Sequence, residues 1–273
     1  MSILGAVIVP HPPLIIPTVG CGREQEVQAT IDAYRAAAKR VADWEPEVLI
    51  VTSPHQIMYA DYFHISPGRG AAGDMSAFGA AQTKLTVKYD GELRDEIIRC
   101  GKTAGLQVGT LGQRDPYLDH GTFVPLYFLR EAEVDCPILR IGLSGFSPLD
   151  HYRLGQCTSQ AAENLGRRAV FIASGDLSHK LKEDGPYGFA PEGPEFDRQV
   201  TEAMAAGDFL RFLTMDLPLC ERAAECGLRS FQIMAGALDG RAVESKLLSY
   251  EGVTGVGYGV ATFAVPGPDE NRR

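Results

Sequence analysis

Four short apolar runs stand out along the chain, at residues 6–9, 48–51, 138–143 (interrupted by Arg140) and 169–173. None alternates polar with apolar positions as a half-exposed strand does, so each predicts a strand covered on both faces. Between them the period changes. Val27, Ile31, Tyr34, Ala38 and Val41 recur at three- and four-residue spacing ahead of Trp44, and Leu154, Cys157, Ala161 and Leu165 repeat the pattern. Both stretches predict helices. The second has a defined start, with Ser147 as N-cap, Pro148 in the first turn and Asp150 three residues after the cap.

Strand, helix and strand in this order predict an α/β fold: a central mixed, largely parallel sheet with helices on both faces. Residues 59–66 alternate more and suit a further strand, and Asp90-Gly91 marks a turn after residues 85–89. Residues 246–250 and 256–265 predict a closing hairpin. There Gly257, Gly259 and Ala261 share one face, which invites close packing by a helix. The Gly/Ala-rich stretch 68–79 reads as a loop beside the site. With no internal repeat and no linker, residues 1–265 are expected to form one domain, followed by a frayed tail at 266–273.

Composition narrows the function classes. Acidic residues outnumber basic ones, 35 against 26, and no Lys/Arg cluster appears. Nucleic acid is therefore not an expected partner, since phosphate binding needs a concentrated positive face. The opening MSILGAVIVPHPPLIIP has no positively charged leader, and His11 and its prolines break the apolar stretch. Neither a signal peptide nor a membrane span is expected there, and no other segment approaches the ~20 apolar residues a span requires. The six cysteines are scattered without a CxxC. They read as reduced thiols, and the expected location is the cytoplasm.

The candidate chemistry lies in the histidines, of which there are six. His11 follows the first buried run in VPHPP, His55 the second in TSPHQ, and His179 a later one in ASGDLSH. Open α/β sheets build their sites beyond the carboxyl ends of the strands. One histidine there is more often a satisfied structural residue; three delivered to one edge point to a metal or catalytic site. The prolines beside His11 and His55 stiffen both loops, which suits a pre-positioned ligand, although they also simply end strands. His120, in LDHGTFVPL, falls in the first turn of a helix starting near Asp119. That position favours a neutral ring serving as a hydrogen-bonding group or base. His64 and His151 read as structural.

A third ligand would be a carboxylate or another histidine. Glu225 stands just before a helix with Leu228, Phe231, Ala235 and Leu238 on one face, where a capping role is equally consistent. Glu244 and Glu251 compete with it, and Cys226 is a soft alternative.

In order, PHPPLIIP, SPH, DHGTFVPL, SGDLSH and AECGLRSFQIMAGAL resemble the class III extradiol ring-cleaving dioxygenases, the LigB-like catalytic subunits, over nearly the whole chain. The ending SYEGVTGVGYGVA is most similar to the branch found with AMMECR-type domains, with Memo-like relatives. The resemblance implies that His11, His55 and Glu225 hold Fe(II), that His179 is the acid/base and that His120 helps to seat substrate. Asp176 and Ser178 would then orient the His179 ring. Two histidines and one carboxylate leave three positions open, two for the adjacent oxygens of a small aromatic diol and one for O2. An imidazole near neutral pH can both take and return a proton.

The same ligand set fits catalytic zinc, so a zinc-dependent hydrolase is the alternative enzyme. A Memo-like metal-binding, redox or partner-binding protein without dioxygenase turnover is the alternative outside that class. The resemblance further implies a homo-oligomer and an AMMECR-type or small-subunit partner. No pocket arginine for a carboxylated diol is identifiable, Arg153 and Arg229 being guesses.

Overall fold

The computed structural model describes residues 2–267; of the expected tail, residues 268–273 lie outside the described residues. Its strands are β1 (Ile3–Val9), β2 (Val48–Ser53), β3 (Phe63–His64), β4 (Gly70–Met75), β5 (Ala80–Lys88), β6 (Val108–Gly109), β7 (Ile138–Gly142), β8 (Ala169–Ser174), β9 (Glu244–Glu251) and β10 (Tyr258–Ala264). Its α-helices are α1 (Pro17–Gly20), α2 (Gln28–Asp43), α3 (Gly91–Thr103), α4 (His120–Glu131), α5 (Pro148–Leu165), α6 (Glu192–Ala206), α7 (Phe209–Leu213), α8 (Leu217–Ala223) and α9 (Leu228–Ala237).

Six strands form the central sheet in the order β7-β2-β8-β1-β10-β9. The first four run parallel and the last two complete it antiparallel, a mixed sheet of mostly parallel strands between helices, as expected. The four apolar runs are its four parallel strands, and alternate residues serve opposite cores. Ile3, Ala6 and Ile8 of β1 pack with α3, α5 and α6 to α9, whereas Val7 and Val9 face α2 and α4. A strand wedged between two helical layers has no polar face, which is why its sequence does not alternate.

The local signals act as expected at several ends. Ser147 caps α5 by accepting from the Asp150 amide, and Asp119 caps α4 by accepting from that of Thr122. The close approach at Gly257, just before β10, and at Gly259 within it is real. A Cβ at Gly257 would collide with the Asp197 carboxylate, and one at Gly259 would lie 3.4 Å from Met204 Sδ. Both neighbours belong to α6.

Two expectations need correction. Residues 68–79 are not a loop: β4 and β5 form an antiparallel hairpin turned by a 3-10 helix at Ser76–Phe78 and by Gly79 at φ 82°. Small residues there allow close pairing, since a Cβ at Gly70 would collide with the Val87 carbonyl. Within 59–66 only Phe63 and His64 become strand, paired with β6 outside the central sheet. No helix among the described residues is long and apolar enough to cross a membrane.

Candidate metal centre

β1, β2 and β8 are adjacent and parallel, so their carboxyl ends open onto one place. His11 leaves β1, His55 leaves β2, and Asp176 and His179 leave β8. All four line one cavity of about 550 Å³, together with His120 from the first turn of α4. One ring nitrogen from each of His11, His55 and His120 lies within 4.8 Å of the others. His11 Nε2 and His55 Nε2 stand 3.0 Å apart, and the His55 and His120 rings are 3.9 Å apart between centroids.

The tautomer of His11 follows from its neighbours. Ser174 Oγ donates its single proton to the Gly121 carbonyl at 2.5 Å, so across 2.9 Å it must accept from His11 Nδ1–H. That leaves Nε2 unprotonated, with its lone pair directed at His55. The ring is also held neutral: burial, then the charge of His55, pushes its pKa down to about 3. Its backbone amide donates to Asp176 Oδ1 at 2.8 Å, and Asp176 Oδ2 lies 3.9 Å from Nε2. Burial raises Asp176 to about 6 against these contacts.

His120 is also neutral, depressed to about 4 by burial first and then by His55 and His11. Its place in the first turn of α4 is as expected, and burial and the neighbouring imidazoles hold the ring neutral. Phe78 from the tip of the β4–β5 hairpin packs edge-on against it at 5.5 Å. His179 packs edge-on against Tyr187 at 5.0 Å, and its buried Nδ1 has no hydrogen-bond partner among the described residues. Asp176 and Ser178 do not orient that ring by hydrogen bonds. Asp176 serves the His11 amide, while Ser178 Oγ donates to the Ala223 carbonyl at 2.8 Å.

Glu225 is not brought into the histidine group. Its Oε2 accepts from the Leu228 amide at 2.7 Å, satisfying the start of α9, whose buried N–H groups would otherwise lack an acceptor. Burial raises this carboxyl to about 7. The next residue points inward: Cys226 Sγ is 3.9 Å from His11 Nε2, with its thiol pKa raised well above the ordinary value by burial and by Asp176. Glu251 also caps a helix, accepting from the Thr30 amide at 2.6 Å. His64 and His151 are buried structural rings, bonded to the carbonyls of Leu111 and Ser147.

The family profile described as the catalytic LigB subunit of aromatic ring-opening dioxygenase matches residues 5–261. The chain belongs to this family. Protein CA_C1420 of Clostridium acetobutylicum is 36% identical over 95% of this chain, which spans 57% of that protein's length. The 2-aminophenol 1,6-dioxygenase beta subunit of a Pseudomonas species is 27% identical over 96% of this chain and 94% of its own. A 2,3-dihydroxyphenylpropionate/2,3-dihydroxicinnamic acid 1,2-dioxygenase of Escherichia coli is 27% identical over 57% of this chain and 51% of its own. The LigB fold is also that of uncharacterized protein JW3007 from Escherichia coli K12, with a TM-score of 0.62, 14% identity, and coverage of 96% of this chain and 99% of that one.

The lining of the cavity holds groups that residue patterns did not single out. Arg23 is among them, whereas Arg153 and Arg229 are not; Phe78, Tyr187 and Tyr258 supply aromatic wall. Their segments are far apart in sequence and carry no periodic signal. Only the tight placement of loops around β1 and β8 assembles them.

Proposed function

We propose that this LigB-family chain is a non-haem Fe(II)-dependent extradiol dioxygenase-like enzyme that opens the ring of a small aromatic diol with O2. The observation that carries the reading is the 3.0 Å separation of His11 Nε2 and His55 Nε2, with the first nitrogen left bare by Ser174. Two imidazole nitrogens bound at ~2.1 Å to adjacent positions of an octahedral metal lie about 3.0 Å apart, so the pair fits a metal without rearrangement.

Glu225 is the third donor the family resemblance implies; the adjacent Cys226 thiol lies 3.9 Å from His11 Nε2, and His120 offers a ring nitrogen within 4.8 Å of those of His11 and His55. When bound, the metal supplies adjacent open positions for the diol oxygens and O2 and the path for electrons between them.

The chain's own groups do the rest. His179, which lines the cavity, takes a hydroxyl proton from the diol and later returns one to product. His120, kept neutral at physiological pH, would hydrogen-bond the diol hydroxyls without adding charge. Pro12, Phe78 and Tyr187 enclose the ring and limit water.

The test is metal analysis of anaerobically purified protein, followed by oxygen uptake with catechols after ferrous loading. About one iron per chain with diol-dependent uptake is expected; no bound metal, or iron without uptake for any diol, overturns the reading. One observation favours a second reading. A thiol 3.9 Å from His11 Nε2, beside the His11–His55 pair, also offers a donor for catalytic zinc, which would bind it as the thiolate. Zinc retention with ester or amide cleavage would identify that hydrolase.

A further inference from the structure

We propose that Tyr258 is a further catalytic residue, donating its phenol proton to the diol oxygen that His179 deprotonates. The inference rests on the ring-opening reading of the cavity and adds a residue to its chemistry.

The backbone brings Tyr258 to the histidines. β1 and β10 pair with Ile8 opposite Ala261, and that antiparallel register leads toward His11 on one chain and Tyr258 on the other. The loop after β8 is laced to the same point. The Leu177 amide donates to the Gly257 carbonyl and the Gly257 amide to the Ser178 carbonyl, each at 2.8 Å. His179 follows Ser178 and Tyr258 follows Gly257, so these bonds set the two side chains beside one cavity, which both line.

The phenol is a donor without an acceptor. Tyr258 is 3% exposed, whereas Tyr187, the other hydroxyl in the lining, is 55% exposed and reaches water. Thr254 Oγ1, placed by the turn at Gly255 with φ 90°, donates to Tyr258 Oη at 2.9 Å. The phenol oxygen therefore already accepts, and its own proton has no acceptor among the described residues. Asp176, the carboxylate of the lining, receives the His11 amide instead. A buried donor left unpaired is costly, and native structures rarely keep one unless a ligand or water completes it. Burial, and then Asp176, holds the phenol well above its ordinary pKa, so it serves as a donor and not as a base.

The proton count closes within the site. One O–H bond of the diol breaks and one N–H bond forms on His179. Tyr258 keeps its proton and shares it with the new oxyanion. A hydrogen bond to a charged acceptor is about twice as strong as one to a neutral acceptor, and exclusion of water strengthens it further. Tyr258 thus favours the ionised diol over the neutral one, as a pre-placed donor does for any developing oxyanion.

The experiment uses 4-nitrocatechol, whose ionised form absorbs at longer wavelength than the neutral one. It is added to anaerobic, ferrous-loaded protein at a pH below its first ionisation in water. Wild type is compared with Tyr258→Phe, which keeps the ring and removes the proton, and with Thr254→Val, which removes the donor to Oη and keeps that proton. Wild type is expected to bind the diol ionised. Affinity should fall about 10-fold or more in Tyr258→Phe, with the spectrum moving toward the neutral form, and by less than about 3-fold in Thr254→Val. Identical spectra and affinities in wild type and Tyr258→Phe overturn the inference. Equal losses in the two variants also overturn it, because they would make the Thr254–Tyr258 bond a structural tie. Oxygen uptake separates the two readings. If wild type binds the diol ionised through Tyr258 yet takes up no oxygen with any diol, the ring-opening reading fails and the donor stands. If uptake proceeds with the same kcat/KM and the same spectra in wild type and Tyr258→Phe, the ring-opening reading stands and the donor fails.

Discussion

Arg140 Nη2 donates to Asp119 Oδ2 at 3.0 Å directly beneath the histidines, with the two side chains 1% and 8% exposed. Arg140 interrupts an otherwise apolar strand, and this partner is the reason it is tolerated there. Asp119 in turn accepts from Ser53 Oγ at 2.5 Å and from the Thr122 amide at 2.9 Å, while Ser53 Oγ accepts from the His55 amide at 3.1 Å. One carboxylate thus joins β2, β7 and α4, and sets the loops from which His55 and His120 project. Burial pulls the Asp119 carboxyl upward, but Arg140 and these hydrogen bonds outweigh it and hold it below the usual range.

Arg140→Met should therefore leave a buried carboxylate without its counter-charge and cost about 3–5 kcal/mol. Chemical denaturation of the metal-free protein measures it. Adding Asp119→Asn should recover part of the loss, because the two residues act as one unit. Strictly additive losses would show that the pair is not coupled.

His179→Gln should keep the metal and remove turnover. The ring reaches the cavity but makes no contact with His11 or His55 that would position a ligand, and its own neighbour is Tyr187 at 5.0 Å. Glutamine is of comparable length and cannot exchange a proton near neutral pH. Metal content within error of wild type, with kcat down by about 10²-fold or more, is the expected pair of results. Full turnover in this variant would remove His179 from the chemistry.

The parts of the site that were legible in the sequence are those attached to regular structure. His11, His55 and His179 each follow a buried run, and a parallel sheet delivers such positions to one edge without any knowledge of the loops. The start of α5 is read from the capping chemistry of Ser147, which acts within three residues, and the start of α4 near Asp119 from the apolar positions that follow it. What was not legible depends on packing between distant segments. The β4–β5 hairpin forms because Gly70 and Gly73 allow close backbone approach, so a composition that signals a loop in isolation becomes a strand against Val87 and Leu118. Glu225 and Cys226 are adjacent, and spacing alone does not say which faces inward. The desolvated amide of Leu228 decides it, drawing the carboxylate to α9 and leaving the thiol toward His11.

That orientation separates the two candidate third donors. Cys226→Ser should lower bound metal by about 10-fold or more, whereas Glu225→Gln, which preserves an acceptor for the Leu228 amide, should lower it less. Elemental analysis after dialysis against a weak chelator measures both, with circular dichroism confirming the fold. The reverse order would restore Glu225 as the ligand and require its carboxylate to turn out of the helix end on binding.

Asp197 makes stability depend on pH in a direction opposite to that of an ordinary paired carboxylate. It is 1% exposed and accepts from the Ser178 amide and from Tyr250 Oη, each at 2.7 Å, yet burial outweighs both bonds and raises it to about 7 from 3.8. Between those two values the folded chain retains a proton that the unfolded chain has released. Its contribution is therefore fully present below pH ~4 and is lost as pH rises to about 7. An asparagine in its place would not titrate. The stability of Asp197→Asn relative to wild type should accordingly rise by about 3 kcal/mol between roughly pH 4 and pH 8, an order-of-magnitude figure for a shift of this size. Denaturant midpoints of both proteins across that range give the difference, free of the titrations they share. Because Asp197 holds the Ser178 amide, one residue from His179, the same substitution tests whether the buried carboxylate keeps the acid/base loop in register. A difference that is flat with pH would mean that Asp197 is ionised in the folded chain and that its two donors, rather than burial, govern it.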